Sequence, residues 1–174
     1  MPNMHTASQE AIDKVRDLIK GIDTAMLTTV TPEGLVSRPL KTQEVEFDGD
    51  LWFLTSKDTD KYEELLEDPR VNVAYVGKSY VSVRGEAELV NDPAKIREFW
   101  SVAYEKLLDT TYDDPNLVLI KVRAETAEYW ETGSKMKMVA HLFQRLTGHD
   151  RPDSDLNKTV DLHGSDDDGA VPKP

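Results

Sequence analysis

Leu51-Trp-Phe-Leu-Thr-Ser-Lys-Asp-Thr-Asp-Lys61-Tyr-Glu-Glu-Leu65 is the stretch on which the reading of this chain turns. An apolar strand, Leu51 to Leu54, runs into a hydroxyl-rich turn, and a lysine then opens a short helix. Thr55, Ser56 and Thr59 bring hydroxyl groups, the helix start brings free backbone N–H groups, and Lys61 brings a full positive charge. These are the parts of an anion site, with phosphate the commonest occupant. A second cationic strand, Ser37-Arg38-Pro39-Leu40-Lys41, lies one hairpin upstream and is positioned to reach the same spot.

Working outward, short strands recur at hairpin spacing. Ala25 to Val30 leads through the turn Thr31-Pro32-Glu33-Gly34 into Leu35 to Gln43. Pro39 places that second strand at an edge, at a bulge, or beside a ligand, because proline donates nothing to a ladder. Asp48-Gly49 reads as the turn of a further hairpin between Val45–Phe47 and Leu51–Leu54. Val71–Val76 and Tyr80–Arg84 read as another pair, with a bulge at Gly85. Leu117–Val122 and Ala127–Trp130 read as two more strands. Helices are expected at the start of the chain, from the capping box Thr6–Gln9 with Ile12, Val15, Ile19 and Ile22 on one face and Gly21 near its end, after the Asp92-Pro93 cap with a stripe through Ile96, Phe99, Trp100, Ala103 and Leu107, and over 135–147. The fold class is therefore mainly β with flanking helices, a six- to eight-stranded antiparallel barrel. It occupies residues 1–148, and the Asp-, Gly- and Pro-rich segment 149–174 is expected to be an acidic disordered tail.

The 174 residues carry a formal charge of −12, and seven acidic against three basic residues from Asp150 onward account for −4 of it. Such a surface repels nucleic acid and anionic membrane, which gain nothing by releasing counterions to it. There is no cysteine, which excludes disulfides and thiolate chemistry. No apolar run approaches the ~20 residues of a membrane span, and no signal-peptide pattern is evident, so a cytoplasmic location is expected. His5, His141, His149 and His163 have no spacing suited to a metal, and no metal site is expected. Catalytic residues remain unassigned: no Ser-His-Asp arrangement and no glycine-rich nucleotide fingerprint follows any strand.

The ordered signposts Ala25–Val30, Ser37-Arg38-Pro39-Leu40, Leu51–Ser56 with Lys61, Arg84–Ala87 and Ala127–Trp130 resemble the FMN-binding split barrels of the pyridoxamine 5′-phosphate oxidase-like superfamily. Within it they are most similar to the bacterial general stress proteins. The resemblance implies a homodimer with two FMN sites shared across the subunit interface. It implies an FMN-dependent oxidoreductase acting with a small-molecule electron donor or acceptor. It places Arg38 and Lys61 at the phosphate with Thr59, sets Pro39, Leu40, Leu54, Thr55 and Ser56 along the flavin, and brings Trp130 from the partner. The chain departs from the oxidase pattern at Asp60, at Tyr80 and at Lys135-Met136-Lys137-Met138, where the vitamin-binding Arg-x-His pair would stand. The alternatives are a non-catalytic flavin store or redox-responsive stress protein, or a split barrel that takes F420 or haem. Read without the resemblance, Arg38 is a strand residue paired with a nearby glutamate, and Lys61 an exposed lysine beside Glu64 and Glu67.

Overall fold

The computed structural model describes residues 4–42, 47–131 and 157–162. The chain opens with helix α1, Met4–Ile19, which lays Ala11 and Val15 into the core. Strands β1, Thr24–Thr31, and β2, Gly34–Lys41, form the first hairpin, and Gly34 supplies the φ of 127° with which the chain leaves the Pro32-Glu33 turn. Strand β3, Asp50–Ser56, leads into helix α2, Asp60–Glu67. Strands β4, Arg70–Val76, and β5, Ser79–Val90, make the next hairpin. Helices α3, Pro93–Phe99, and α4, Val102–Leu108, precede β6, Leu117–Glu131, and a last strand, β7, spans Asn157–Asp161.

All ladders among the described residues are antiparallel, in the order β2-β1-β4-β5-β6-β3, with β7 added to β6. The strands form a curled half-barrel with flanking helices, as the sequence pattern leads one to expect. Pro39 lies on β2, an edge strand paired only with β1 among the described residues, so its missing N–H costs no ladder bond. Alternation decides what faces inward: Ala25, Leu27 and Thr29 on β1, Val71, Val73 and Tyr75 on β4, and Val81 and Val83 on β5 are all buried. In β3 and β6 the alternation gives way to unbroken burial at Phe53–Thr55 and Leu117–Ile120. One face of these segments lines the barrel core, while Leu54, Leu117 and Leu119 pack outward against Ile96, Phe99 and Tyr104 of α3 and α4.

Four expectations change. Leu117–Val122 and Ala127–Trp130 are one strand: the polar run between them looks like a break, but Glu125 is passed over in the pairing with β5, and β6 bends there. Gly85 permits this bend, since a Cβ at that position would lie 2.2 Å from the Arg123 carbonyl oxygen. The stripe from Ile96 to Leu107 is two helices, because Trp100 takes an extended conformation with ψ of 135°. Asp92 caps the first, its carboxylate accepting from the Ala94 and Lys95 N–H groups at 3.0 and 3.2 Å. Strand β3 takes β6 as its ladder partner, and Phe47 lies in no strand; residues 45 and 46 of the hairpin partner expected at 45–47 lie outside the described residues.

The fourth change is in the tail. The disordered tail expected from 149 fails for 157–162, where β7 pairs Asn157 to Asp161 with Trp130 to Thr126 and Leu162 enters the barrel core at 2% exposure. A low apolar content misled the sequence reading: one leucine and five ladder positions suffice when a strand edge is already waiting. The expected helix over 135–147, the motif Lys135–Met138 and the rest of the tail lie outside the described residues.

Candidate functional site

The residues of the expected anion site sit on three elements. Arg38 sits on β2 opposite Leu27, facing inward and half-buried. Lys61 lies in the first turn of α2 and is also half-buried. Helix α2 is fixed by Leu65, which is 4% exposed in the barrel core, so its first turn lies beside β1 and β2.

One turn on from Lys61, Glu64 ties the site together. Its Oε2 accepts from Arg38 Nη2 at 2.7 Å and from Thr29 Oγ1 at 2.7 Å. Thr29 is wholly buried, and the Arg38 and Glu64 side chains are 20% and 18% exposed, so this is a shielded ion pair and not a surface one. Burial alone would raise the Glu64 carboxyl, but the hydrogen bonds from Thr29 and Arg38, with the charges of Arg38 and Lys61, hold it below its ordinary range. Lys61 is pushed the other way. Burial and then the neighbouring Arg38 charge lower its ammonium, with Glu64 and Asp60 opposing them only in part. Arg38 and Lys61 thus act on each other and on one shared carboxylate, Glu64, with Asp60 also beside Lys61, in a chain of net charge −12.

The hydroxyl groups are arranged around this pair. Thr59 is the N-cap residue of α2, yet its hydroxyl donates to the Ser56 carbonyl at 2.8 Å and does not cap the helix. The Ser56 hydroxyl accepts from the Asp58 N–H at 3.4 Å. The first turn of α2 thus has no side-chain cap, which suits an external anion.

The structure joins Arg38 to α2 through Glu64, beside Lys61, sets Ser56 and Thr59 at the junction of β3 and α2, and buries Thr55, which is 2% exposed. It sends other expected residues elsewhere. The Leu54 side chain is committed to the packing of α3 and α4, so only its backbone borders the site, and Leu40 is buried in the barrel core. Pro39 is exposed on the outer face, level with Met26. Trp130 pairs with Tyr80 and Asn157 near the far end of β6 from Leu117, the ladder partner of Ser56, and is not brought to Arg38 and Lys61 within one chain. Sequence reasoning missed Thr29 and left Glu64 as a generic neighbour. The period-2 alternation of β1 and the spacing of Glu64 three residues after Lys61 were the signals that place both inward. Among the described residues no group of His, Asp and Glu is arranged to hold a metal, and no helix is long and apolar enough to cross a membrane.

The family model "pyridoxamine 5′-phosphate oxidase like" matches residues 10–153. The chain belongs to the pyridoxamine 5′-phosphate oxidase-like family. General stress protein 26 of Bacillus subtilis (strain 168) is 33% identical over 87 residues, a match that spans 47% of this chain and 61% of that protein. The general stress FMN/FAD binding protein of Xanthomonas citri superposes with a TM-score of 0.63 at 27% identity, covering 72% of this chain and 92% of that one. A protein related to general stress protein 26 from Clostridium acetobutylicum has a TM-score of 0.65 at 15% identity, over 88% of this chain and 96% of its own, and shows the shared fold. As a pyridoxamine 5′-phosphate oxidase-like chain, the protein keeps the family's split barrel from α1 through β6, and Arg38, Thr59 and Lys61 lie within the matched region.

Proposed function

We propose that this chain binds FMN and serves as a flavin-dependent oxidoreductase of the general stress type. One observation carries the proposal: two half-buried cations, Arg38 and Lys61, converge beside an uncapped helix start and the hydroxyl groups of Ser56 and Thr59. A phosphate monoester fits this set. It would accept from the free N–H edges of Arg38, from the Lys61 ammonium and from the first turn of α2, and its charge would relieve the repulsion between the two cations. The similarity to the Xanthomonas citri FMN/FAD binding protein supports a flavin, and the phosphate set favours the mononucleotide. When bound, the flavin supplies the hydride or electron chemistry; the residues named here hold and orient it.

A homodimer completes the reading. Met26 and Val76 remain 38% and 64% exposed on the outer face of β1 and β4, apolar surface of the kind a second copy covers. In such a dimer the partner would supply the ring cover that Trp130 cannot give within one chain.

The test is ligand discrimination. Arg38→Ala and Lys61→Ala should each weaken FMN by roughly 10- to 150-fold, the worth of a hydrogen bond to a charged group, and leave riboflavin unchanged. Arg38→Ala should lie at the upper end, because it leaves the Glu64 charge unpaired beside the phosphate. Variants that bind both ligands as wild type does would return Arg38 and Lys61 to the status of ordinary cations.

A second reading, flavin storage without turnover, draws on Glu64. This carboxylate already accepts two hydrogen bonds and stays ionised at neutral pH, so it cannot act there as a proton donor. Purified yellow protein that reduced nicotinamide cofactor bleaches and air restores supports the enzyme; yellow protein that never cycles supports the store. An absorption spectrum separates both from F420 and haem.

A further inference from the structure

The Arg38 guanidinium is a planar fork whose usefulness to a phosphate depends on where its free edge points. One corner, Nη2, is fixed at 2.7 Å to Glu64 Oε2. The same oxygen accepts from Thr29 Oγ1 at 2.7 Å, and Thr29 has no exposed surface. A single carboxylate oxygen therefore joins three elements: β1 through Thr29, α2 through its own backbone, and β2 through Arg38. Pinning one corner of the fork fixes its plane and leaves the remaining N–H groups presented from a set direction. Glu64 also lies one helical turn from Lys61, so whatever sets Arg38 sets it relative to the second cation.

We propose that Glu64 is a positioning residue for the phosphate site: anchored by Thr29, it orients Arg38 towards the ligand and does not itself touch it. The inference rests on the FMN reading above. It separates two effects that work in opposite directions. The negative charge of Glu64 opposes a dianionic phosphate, whereas its hydrogen bonds hold the arginine in the orientation that the phosphate needs.

Glu64→Gln and Glu64→Met divide these effects, because glutamine and methionine have nearly the same size and no charge, and only glutamine can accept from Arg38 and Thr29. FMN and riboflavin titrations are run on wild type and both variants, with a thermal melt of each to show folded protein. Glu64→Gln is expected to bind FMN at least as tightly as wild type. Glu64→Met is expected to bind FMN roughly 2- to 12-fold more weakly than Glu64→Gln, the worth of an ordinary hydrogen bond. Riboflavin should not distinguish the two. Thr29→Val, which removes the anchor and leaves the Glu64 charge, should also weaken FMN and spare riboflavin, and it answers the question if Glu64→Met fails to fold. Equal FMN affinity in Glu64→Gln and Glu64→Met, or tighter binding by Glu64→Met, overturns the positioning role. Wild type that fails to prefer FMN over riboflavin would instead remove the phosphate reading beneath it.

Discussion

Removing residues 150–174 should destabilise the protein measurably, and Leu162 sets the scale. Its side chain is 2% exposed among the barrel-core residues, held there by its own N–H, which donates to the Glu125 carbonyl at 2.8 Å. Burying a leucine contributes about 1.5–3 kcal/mol, and emptying its site adds the cost of the cavity, so Leu162→Ala should lose about 2–5 kcal/mol. Taking ~3 kcal/mol as the centre, Tm should fall by ~6–12 °C for a chain of this size. The full deletion should lose at least as much, because it also strips β7 from β6 and leaves the Thr126–Trp130 edge unpaired. Deleting only 163–174 should change little, since Ala170 and Val171 are almost the whole apolar content of that segment. The assay is thermal and urea unfolding of the four proteins at one concentration, which keeps any linkage to association constant. If the 150–174 deletion melts with the full-length chain, β7 contributes nothing and the reasoning fails.

Two further outcomes follow from the same contacts. Gly85→Ala should destabilise by more than a typical surface change and shift β5 against β6, because the new methyl meets backbone at 2.2 Å and no flexible side chain can yield; chemical shifts confined to Thr29 and Glu64 would contradict this. Glu64 should contribute to acid sensitivity: its carboxyl is held below the ordinary value of 4.5, so its stabilisation is present above that pH and is lost as pH falls through the lowered value. Glu64→Gln should therefore show a shallower loss of stability in that acid window than wild type, and identical slopes in urea unfolding would refute the linkage.

The barrel was legible because its strands obey period-2 alternation and its turns carry Pro32, Gly34 and Gly77 at the right places. The cations of the candidate site stand out in the sequence, Arg38 and Lys61 on either side of a hydroxyl turn in an acidic chain. What a linear reading could not give was the partner that joins them. Glu64 reaches Arg38 and Thr29 across 26 and 35 positions of sequence, and no local rule couples such distant residues. The continuity of β6 was hidden for a related reason: Arg123-Ala-Glu-Thr126 has the polarity of a loop, and only the pairing with β5 shows that it is a bend. The tail strand escaped because its partner edge, and not its own composition, makes it a strand.

The order of pairing has a consequence for how the chain is made. Strand β3 is complete by Ser56, but its ladder partner begins only at Leu117 of β6. A ribosome working at about 5–20 residues per second needs on the order of 3–12 s to deliver those intervening ~60 residues. Through that interval Leu51, Phe53 and Leu54 belong to a hydrophobic strand with no ladder partner among the described residues yet synthesised, while β1, β2, β4 and β5 can already pair locally. The nascent chain therefore passes through a stage in which four of the seven strands can pair beside one exposed sticky strand. Slowed translation between α2 and β6 should lengthen that stage and increase capture by chaperones or loss to aggregates, with the mature fold unchanged.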